Sequence, residues 1–320
     1  MVETQEKILV TEPEDYPQTA MRILQDMGDI TCGPFSREEL ESSIQEATIL
    51  IVRLGHDINK KILEKAKNLT TIVTATTGLN HIDLDYAIER EISVLSLKGE
   101  TALLETISPT ADLTFGLILS LIRKIPAASA DVTQAKWNRD SFKGYDLRGK
   151  TLGIYGLGRI GRKVARMGKA FDMKVIAYDI EQKNESDVNS VDENTVLKES
   201  DILSLHIPYD ESLKSFFGQE KFSFMKNGSY FINTARGELV NEIALLKVLQ
   251  SGHIAGAALD VLDGEYGADD EWLKSHPLIQ YASKNNRLLI TPHIGGASHD
   301  SMQRVEIFMA EKLKNHLVKK

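Results

Sequence analysis

The stretch Thr151–Asp179 reads TLGIYGLGRIGRKVARMGKAFDMKVIAYD. An apolar run at Leu152–Tyr155 predicts a buried strand, and glycines at 156, 158 and 161 follow it in the order G-x-G-x-x-G. The next residues predict a helix, and a second strand over Lys174–Tyr178 ends at Asp179. The apolar face of this helix is predicted from Ile160, Val164, Met167 and Phe171. A strand, a glycine turn, a helix and a strand in this order predict a unit of a parallel sheet.

The three glycines have separate steric roles. Gly156 allows the tight turn, Gly158 lets a pyrophosphate approach the backbone, and Gly161 lets the helix lie close to the strand. Free N–H groups at the helix start, at the positive end of its dipole, bind phosphates. Asp179 follows Gly158 by 21 residues, counted from 158 to 179. An acid at this distance accepts the ribose hydroxyls and repels the 2′-phosphate of NADP, so the stretch predicts an NAD site.

Composition limits the class of protein. A chain of 320 residues is long enough for two domains, and 42% hydrophobic residues are ordinary for a soluble globular protein. The formal net charge of −8, with no basic tract, argues against nucleic acid as a partner. Any positive charge that binds an anionic substrate must therefore be local.

The compartment is predicted from cysteine usage and hydropathy. Cys32 is the only cysteine, so an internal disulfide is impossible and a reducing compartment is expected. The N-terminal sequence MVETQEKILV lacks the regions of a signal peptide. The longest apolar segment, Leu113–Ile122, is shorter than the roughly 20 residues of a membrane span. We therefore expect a cytoplasmic protein with no membrane partner.

Strands and helices alternate on both sides of the fingerprint. Before it, strands are predicted at 8–10, 30–32, 49–53, 71–75 and 92–95, with helices between them. Ser108-Pro109 predicts the cap and first residue of a long apolar helix, and 131–150 is predicted as a polar extended segment. After it, strands are predicted at 202–206, 229–233, 254–260 and 288–291, and a C-terminal helix from Ser298. The fold class is therefore α/β with doubly wound parallel sheets.

Three predicted strand ends carry residues suited to catalysis. Arg236 follows the strand 229–233, Glu265 lies in an acidic loop after 254–260, and His293 precedes a Gly-Gly turn after 288–291. Each would be unremarkable alone, but the carboxyl ends of parallel strands face one crevice. An arginine can pair with a carboxylate, and a histidine exchanges protons near neutral pH. Together with NADH, Arg236 and His293 would suit reduction of a 2-oxo acid, and Glu265 would fix the imidazole tautomer and favour its protonated form.

At this point the chain resembles the D-isomer-specific 2-hydroxyacid dehydrogenases. The segments GLGRIG, HIPYDES, INTARGELV, ALDVLDGE and TPHIGGAS occur in the order and spacing of that family. The resemblance implies that Arg236 binds the substrate, that His293 is the acid–base group and that Glu265 is its partner. It implies cofactor contacts from a set spread over the second half of the chain: Gly156, Gly158, Arg159, Ile160, Gly161, Asp179, His206, Pro208, Thr234, Ala235, Asp260 and Gly295.

The resemblance also implies the domain organisation and the substrate loops. A flavodoxin-like substrate domain of residues 1–99 and 294–320 would be interrupted by a Rossmann cofactor domain of residues 100–293. The cleft between them would close over the substrate, and the family is commonly dimeric near 108–122. Backbone N–H groups of two loops would hold the substrate carboxylate, together with Arg236: Arg53, Leu54 and Gly55 in the first loop, and Thr77 and Gly78 in the second. We assign no metal site.

The expected activity is interconversion of a D-2-hydroxy acid and its 2-oxo acid, with D-3-phosphoglycerate as the favoured type of substrate. Arg53 and Lys98 are candidate cations for a phosphate. A glyoxylate or hydroxypyruvate reductase is the alternative, and an NAD-sensing protein resembling the corepressors of this fold is an alternative of another class. Departures from the family pattern at Asn80-His81, Asp112 and Tyr266 leave the substrate open. Since no further sequence follows residue 320, regulation by an appended domain is not expected.

Overall fold

The computed structural model describes residues 5–181 and 188–318. Its strands are β1 Glu6–Val10, β2 Gly28–Cys32, β3 Ile49–Ile51, β4 Thr71–Val73, β5 Ser93–Leu95, β6 Thr151–Tyr155, β7 Lys174–Tyr178, β8 Asn189–Ser190, β9 Ile202–Leu205, β10 Ser229–Asn233, β11 Ile254–Leu259 and β12 Leu288–Ile290. Its helices are α1 Gln18–Gln25, α2 Arg37–Ser43, α3 Lys60–Lys65, α4 Leu84–Glu89, α5 Thr101–Glu105, α6 Pro109–Ile122, α7 Ile125–Thr133, α8 Arg159–Ala170, α9 Glu193–Glu199, α10 Gln219–Phe224, α11 Glu242–Ser251, α12 Asp270–Ser275, α13 Pro277–Ala282 and α14 His299–Val318.

The chain divides into two compact units. The first comprises Met1–Ile107 and Ser298–Lys320, and the second comprises Ser108–Ala297. The predicted boundaries after residues 99 and 293 differ from the divisions after residues 107 and 297 by eight and four residues, because α5 belongs to the first unit and the turn after His293 belongs to the second.

The first unit contains a five-stranded parallel sheet of order β2-β1-β3-β4-β5. This is the flavodoxin-like order. The C-terminal helix α14 belongs to the same core, in which Val305, Met309 and Leu313 lie in one buried cluster with Ile8 and Ile49. The predicted association of the C-terminal segment with the first hundred residues is therefore a packing contact of this unit.

The second unit contains a seven-stranded parallel sheet of order β12-β11-β10-β9-β6-β7-β8. Read from β8, the first six positions follow the Rossmann order, with β12 added at the far edge. Buried clusters cover both faces of this sheet, as expected for parallel strands that are apolar along their whole length. The α/β class and the two doubly wound sheets are confirmed.

Helix α6 contributes to the core of the second unit. Its buried residues include Phe115, Leu117, Ile118 and Leu121, in one cluster with residues of β6 and α8. The range Thr101–Ile122 is long and apolar enough to be a candidate membrane span by length and composition alone. In the structure this range is divided between α5 and α6, and the 14 residues of α6 extend for only about 21 Å. Ser108 precedes α6 as predicted but does not cap it with its side chain. Its hydroxyl accepts a hydrogen bond from Lys163 Nζ at 3.2 Å.

Two local predictions are wrong. The segment 131–150 is not extended throughout, because α7 continues to Thr133 and a 3₁₀ turn covers Arg139–Phe142. Phe171 does not belong to the buried face of α8, since the helix ends at Ala170 and Phe171 is 43% exposed. The buried face uses small residues instead, including Gly161 and Gly168, because a Cβ at Gly168 would lie 2.6 Å from Leu152 Cδ2.

Candidate active site

The glycine turn between β6 and α8 has the geometry of a phosphate-binding loop. Gly156 has φ +100°, and a Cβ there would lie 2.7 Å from the carbonyl oxygen of His206. A Cβ at Gly161 would lie 2.2 Å from the carbonyl oxygen of Gly156. By contrast, a Cβ at Gly158 would meet no atom within 4 Å. The backbone is therefore closely packed at the first and third glycines and open at the second, where a pyrophosphate needs to approach.

Asp179 lies at the end of β7 and is bonded to the same loop. Its Oδ2 accepts a hydrogen bond from Leu157 N at 2.7 Å, and its Oδ1 accepts one from Glu181 N at 3.0 Å. A carboxylate can accept several hydrogen bonds at once. Arg159 and Ile160, in the first turn of α8, are both half-buried beside this loop.

His206 follows β9 and is half-buried. Its Nε2 lies 2.8 Å from Ser204 Oγ, while Nδ1 is buried without a hydrogen-bond partner in the described part of the chain. Burial lowers the pKa of His206 to about 3, so the imidazole is neutral. Its Nδ1 is therefore suited to a polar ligand group. Pro208, two residues further on, is exposed.

The loop after β10 is held by Asn233, a residue that the sequence reasoning missed. Its Oδ1 accepts from Ala235 N at 3.0 Å, and its Nδ2 donates to the carbonyl oxygen of Arg236 at 2.9 Å. Thr234 lies beside it, with its hydroxyl 2.8 Å from that of Thr114. An Asn that bonds to the backbone two residues on is a turn signal, and the sequence NTAR offers it.

Arg236 is half-buried and stands in this fixed loop. Its Nη1 donates to the carbonyl oxygen of Ala235 at 2.6 Å, and no carboxylate of the described residues forms an ion pair with it. Its guanidinium therefore retains N–H donors for an anion. Gly237 follows in close contact with the turn at Leu262 and Asp263, because a Cβ at Gly237 would lie 2.0 Å from the carbonyl carbon of Leu262.

Glu265 and His293 form a close pair. Glu265 Oε1 lies 2.5 Å from His293 Nδ1, and the two side chains are only 16% and 17% exposed. Glu265 Oε2 accepts a second hydrogen bond, from Leu262 N at 2.9 Å. With Nδ1 facing a carboxylate, Nε2 is the ring nitrogen left to exchange a proton. The ring of Tyr266 lies 6.2 Å from the imidazole, and burial raises the pKa of this tyrosine, so it is neutral near neutral pH.

Asp260 organises the loop that carries His293. Oδ1 accepts hydrogen bonds from Thr291 Oγ1 at 2.6 Å and Ile294 N at 2.9 Å, and Oδ2 accepts one from Gly295 N at 2.7 Å. His293 has φ +52°, a conformation that costs a non-glycine residue energy. Burial raises the pKa of Asp260, while these hydrogen bonds act in the opposite direction. The structure thus gives this carboxylate a structural role that the sequence did not predict.

The two predicted substrate loops belong to the first unit. Arg53 N and Gly55 N donate to the carboxylate of Glu12 at 2.7 and 2.6 Å, so two of the expected N–H groups already bind a carboxylate of the chain. Leu54 between them is half-buried. In the second loop, Thr76 Oγ1 donates to the carbonyl oxygen of Gly78 at 2.7 Å, and Thr77 is exposed.

The Arg53 side chain is also engaged. Its Nε and Nη2 lie 2.7 and 2.6 Å from Glu306 Oε1, its Nη1 donates to the carbonyl oxygen of Glu14 at 3.0 Å, and its guanidinium lies 5.6 Å from the centre of the Tyr16 ring. An arginine with this set of partners does not offer a free cation for a phosphate.

Comparison with known proteins finds one family over the second unit and similar dehydrogenases and reductases over nearly the whole chain. Residues 115–295 match the family described as D-isomer specific 2-hydroxyacid dehydrogenase, NAD binding domain. The chain is 36% identical to the hydroxypyruvate reductase of Thermotoga maritima, over 97% of this chain and 98% of the relative. It is 35% identical to the D-3-phosphoglycerate dehydrogenase of Methanocaldococcus jannaschii, over 97% of this chain but only 57% of that longer protein. The D-lactate dehydrogenase of Aquifex aeolicus, solved with NAD and lactic acid, superposes with a TM-score of 0.82 at 29% identity, covering 98% of this chain and 96% of that one.

Proposed function

Because this chain belongs to the D-isomer specific 2-hydroxyacid dehydrogenases, a family of NAD-binding oxidoreductases, we propose that it interconverts a D-2-hydroxy acid and the corresponding 2-oxo acid. The observation that carries this proposal is the Glu265–His293 pair in the same unit as an arginine with free donors, Arg236. A proton donor and a carboxylate-binding cation are the two groups that reduction of a 2-oxo acid requires from the protein.

The residues of the second unit fit the cofactor. Gly158 would admit the pyrophosphate at the start of α8, and Asp179 would accept the ribose hydroxyls. His206 Nδ1 would meet a polar group of the cofactor, and the fold relatives include a protein solved with NAD. When bound, NADH supplies a hydride to C2 of the substrate.

The chain's own residues would handle the proton and the charge. Arg236 would orient the substrate carboxylate, and His293 Nε2 would donate its proton to the carbonyl oxygen as it becomes a hydroxyl. Glu265 would hold Nδ1–H and stabilise the imidazolium before the transfer, while its own second oxygen stays bonded to Leu262 N. In the oxidation direction the same imidazole would accept the hydroxyl proton.

The identity of the acid is the finer part of the proposal. A phosphorylated substrate such as D-3-phosphoglycerate needs additional cations, and Arg53 was a candidate. Its guanidinium is paired with Glu306, which favours a smaller, unphosphorylated acid of the hydroxypyruvate or glyoxylate type. Lys98, the other candidate cation, is exposed.

Steady-state oxidation of NADH tests both parts. We would compare phosphohydroxypyruvate, hydroxypyruvate, glyoxylate and pyruvate, and repeat each with NADPH. His293→Ala is expected to lower kcat by about 10²–10⁴-fold, whereas His299→Ala, at an exposed histidine, is the matched control and should leave kcat unchanged. Arg236→Lys should raise KM, because a point charge cannot replace a bidentate guanidinium. Tight NADH binding with no turnover of any oxo acid would instead support an NAD-sensing protein.

A soluble, cytoplasmic homodimer completes the proposal. Helix α7 has no buried residue, and apolar side chains in and after it are exposed, including Ile125, Val132 and Trp137. The buried face of α6 is used within its own unit, so these residues are better suited to a second copy than α6 itself. Light scattering tests this by comparing the molar mass of the wild type with that of Trp137→Asp. If both proteins were monomers, the dimer would be refuted.

A further inference from the structure

A second carboxylate–imidazole pair lies beside the first. Glu242 is the first residue of α11, and its Oε2 lies 3.0 Å from Nε2 of His276. His276 joins α12 to α13, and its side chain is 6% exposed, against 19% for Glu242. The proposed proton transfer uses neither residue.

The two pairs hold consecutive backbone groups of one turn. Glu265 uses one oxygen for His293 and the other for Leu262 N. Glu242 uses one oxygen for His276 and the other for Asp263 N, at 3.0 Å. Each carboxylate therefore joins one imidazole to one N–H group, and the two N–H groups are adjacent in the chain.

This turn supports both sides of the candidate site. Glu265 follows it by two residues, so its carboxylate position depends on the path of the backbone there. Gly237 touches it from the other side, since a Cβ at Gly237 would lie 2.3 Å from Asp263 N. Arg236 immediately precedes Gly237, so a displacement of the turn would move the guanidinium and the Glu265–His293 pair together.

We propose that Glu242 and His276 are positioning residues that hold the Leu262–Asp263 turn, and through it set the placement of Glu265 and Arg236. The inference rests on the proposed function for its catalytic consequence, but its structural half concerns only the turn.

The charges around Glu242 make this support sensitive to pH. Burial, followed by the negative charges of Asp263 and Glu265, raises the pKa of Glu242 to about 7. Burial lowers the pKa of His276, and Asp263 acts in the opposite direction. Glu242 therefore loses its proton near neutral pH. Loss of that proton adds a negative charge that interacts with the charges of Asp263 and Glu265.

Hydrogen exchange tests the structural half without any substrate. Glu242→Ala removes the acceptor for Asp263 N, so the amide of Asp263 should exchange at least about tenfold faster in the protein without ligand, which corresponds to one lost hydrogen bond of about 1.4 kcal/mol. Glu242→Gln keeps an oxygen for Asp263 N and should retain slow exchange. Glu220→Ala removes an exposed acid from the first turn of α10 and is the matched control. Unchanged exchange in Glu242→Ala would overturn the proposal.

Kinetics tests the catalytic half on the same variants. Glu242→Ala should lower kcat/KM by roughly 10–100-fold, because a shift of about 1 Å at a catalytic group can cost on the order of 100-fold. Binding of NADH to the glycine loop, followed by fluorescence, should change less than about twofold. In the wild type, kcat/KM should change near pH 7, where Glu242 loses its proton. Glu242→Gln should keep kcat/KM near that of the wild type at pH 6 and should lack this change near pH 7. His276→Gln should also alter the pH dependence of kcat/KM. If Glu242→Ala had the same rate and pH profile as the wild type, the positioning role would be overturned. If the wild-type protein were inactive with every oxo acid, the proposed function would be overturned, and the hydrogen-exchange result alone would decide whether Glu242 holds the turn.

Discussion

Replacing Asp260 by asparagine tests the loop that carries His293. Asp260 is 1% exposed, and its carboxylate accepts three hydrogen bonds, two on Oδ1 and one on Oδ2. An amide offers one acceptor oxygen and one NH₂ group, so in either orientation at least one backbone N–H of Ile294 or Gly295 would face another donor. The smallest loss occurs when the NH₂ group replaces Oδ2 and only the Gly295 bond is lost.

The cost can be worked from that minimum. A hydrogen bond to a charged group contributes about 1.5–3 kcal/mol, and a buried N–H left without an acceptor costs a similar amount. The second unit has 190 residues, from 108 to 297. For this size a loss of 1.5–3 kcal/mol lowers Tm by roughly 3–12 °C. The loss also removes support for His293 at φ +52°, so kcat should fall with stability.

Thermal and urea unfolding of the protein without ligand measure the effect. Thr291→Val is the matched control, since it removes one hydroxyl donor and leaves both backbone donors bonded to the carboxylate, at a cost of about 0.5–1.5 kcal/mol. If Asp260 served only as a nicotinamide contact, Asp260→Asn would weaken NADH binding and leave unfolding unchanged. That result would refute the structural role described above.

Three further predictions concern the same unit. Gly161→Ala places a Cβ 2.2 Å from the Gly156 oxygen and should lower the free energy of unfolding by about 1–3 kcal/mol, whereas Gly158→Ala, with open space, should weaken NADH binding with little loss of stability. Equal destabilisation by both, measured in urea, would contradict the packing argument. Asp179→Ser should raise the NADPH-to-NADH ratio of kcat/KM at least about tenfold, equivalent to about 1.4 kcal/mol, by removing a negative charge from the 2′-phosphate position, and an unchanged ratio would speak against this role. Because the pKa of Glu242 is raised from 4.5 to about 7, the folded state keeps a proton that the unfolded chain releases, so the free energy of unfolding should fall as pH rises between these values. Glu242→Gln should flatten this dependence of the free energy of unfolding on pH. A dependence equal to that of the wild type would contradict the prediction.

The sequence predicted those features that depend on residues close together in the chain. The glycine turn needs three glycines within six positions, and each has a steric requirement that can be read without the fold. Short apolar runs predicted β6, β7 and β10 nearly to the residue, because buried strands of a parallel sheet are short and continuously apolar. The approach of Glu265 to His293 followed from placing both at strand ends of one sheet.

The remaining features depend on contacts that no local pattern encodes. Glu12 and Gly55 are 43 positions apart, and nothing in either segment shows that a side chain of one will bind the backbone of the other. The same holds for Glu242 and His276, which meet only because α11 and the α12–α13 junction pack together. Helix α7 was missed for another reason: it buries none of its residues, so it lacks the apolar periodicity on which the prediction relied.

The hydrogen bond from Leu157 N to Asp179 has a consequence for redesigning cofactor choice. The Asp179 carboxylate, which would discriminate between NAD and NADP, also accepts a hydrogen bond from the loop that would hold the diphosphate common to both. Selectivity and loop order are therefore coupled through one side chain. A variant that accepts NADPH because it lacks this acid leaves the N–H group of Leu157 without its acceptor. A successful change of cofactor will therefore need a second substitution that supplies an acceptor oxygen for Leu157 N.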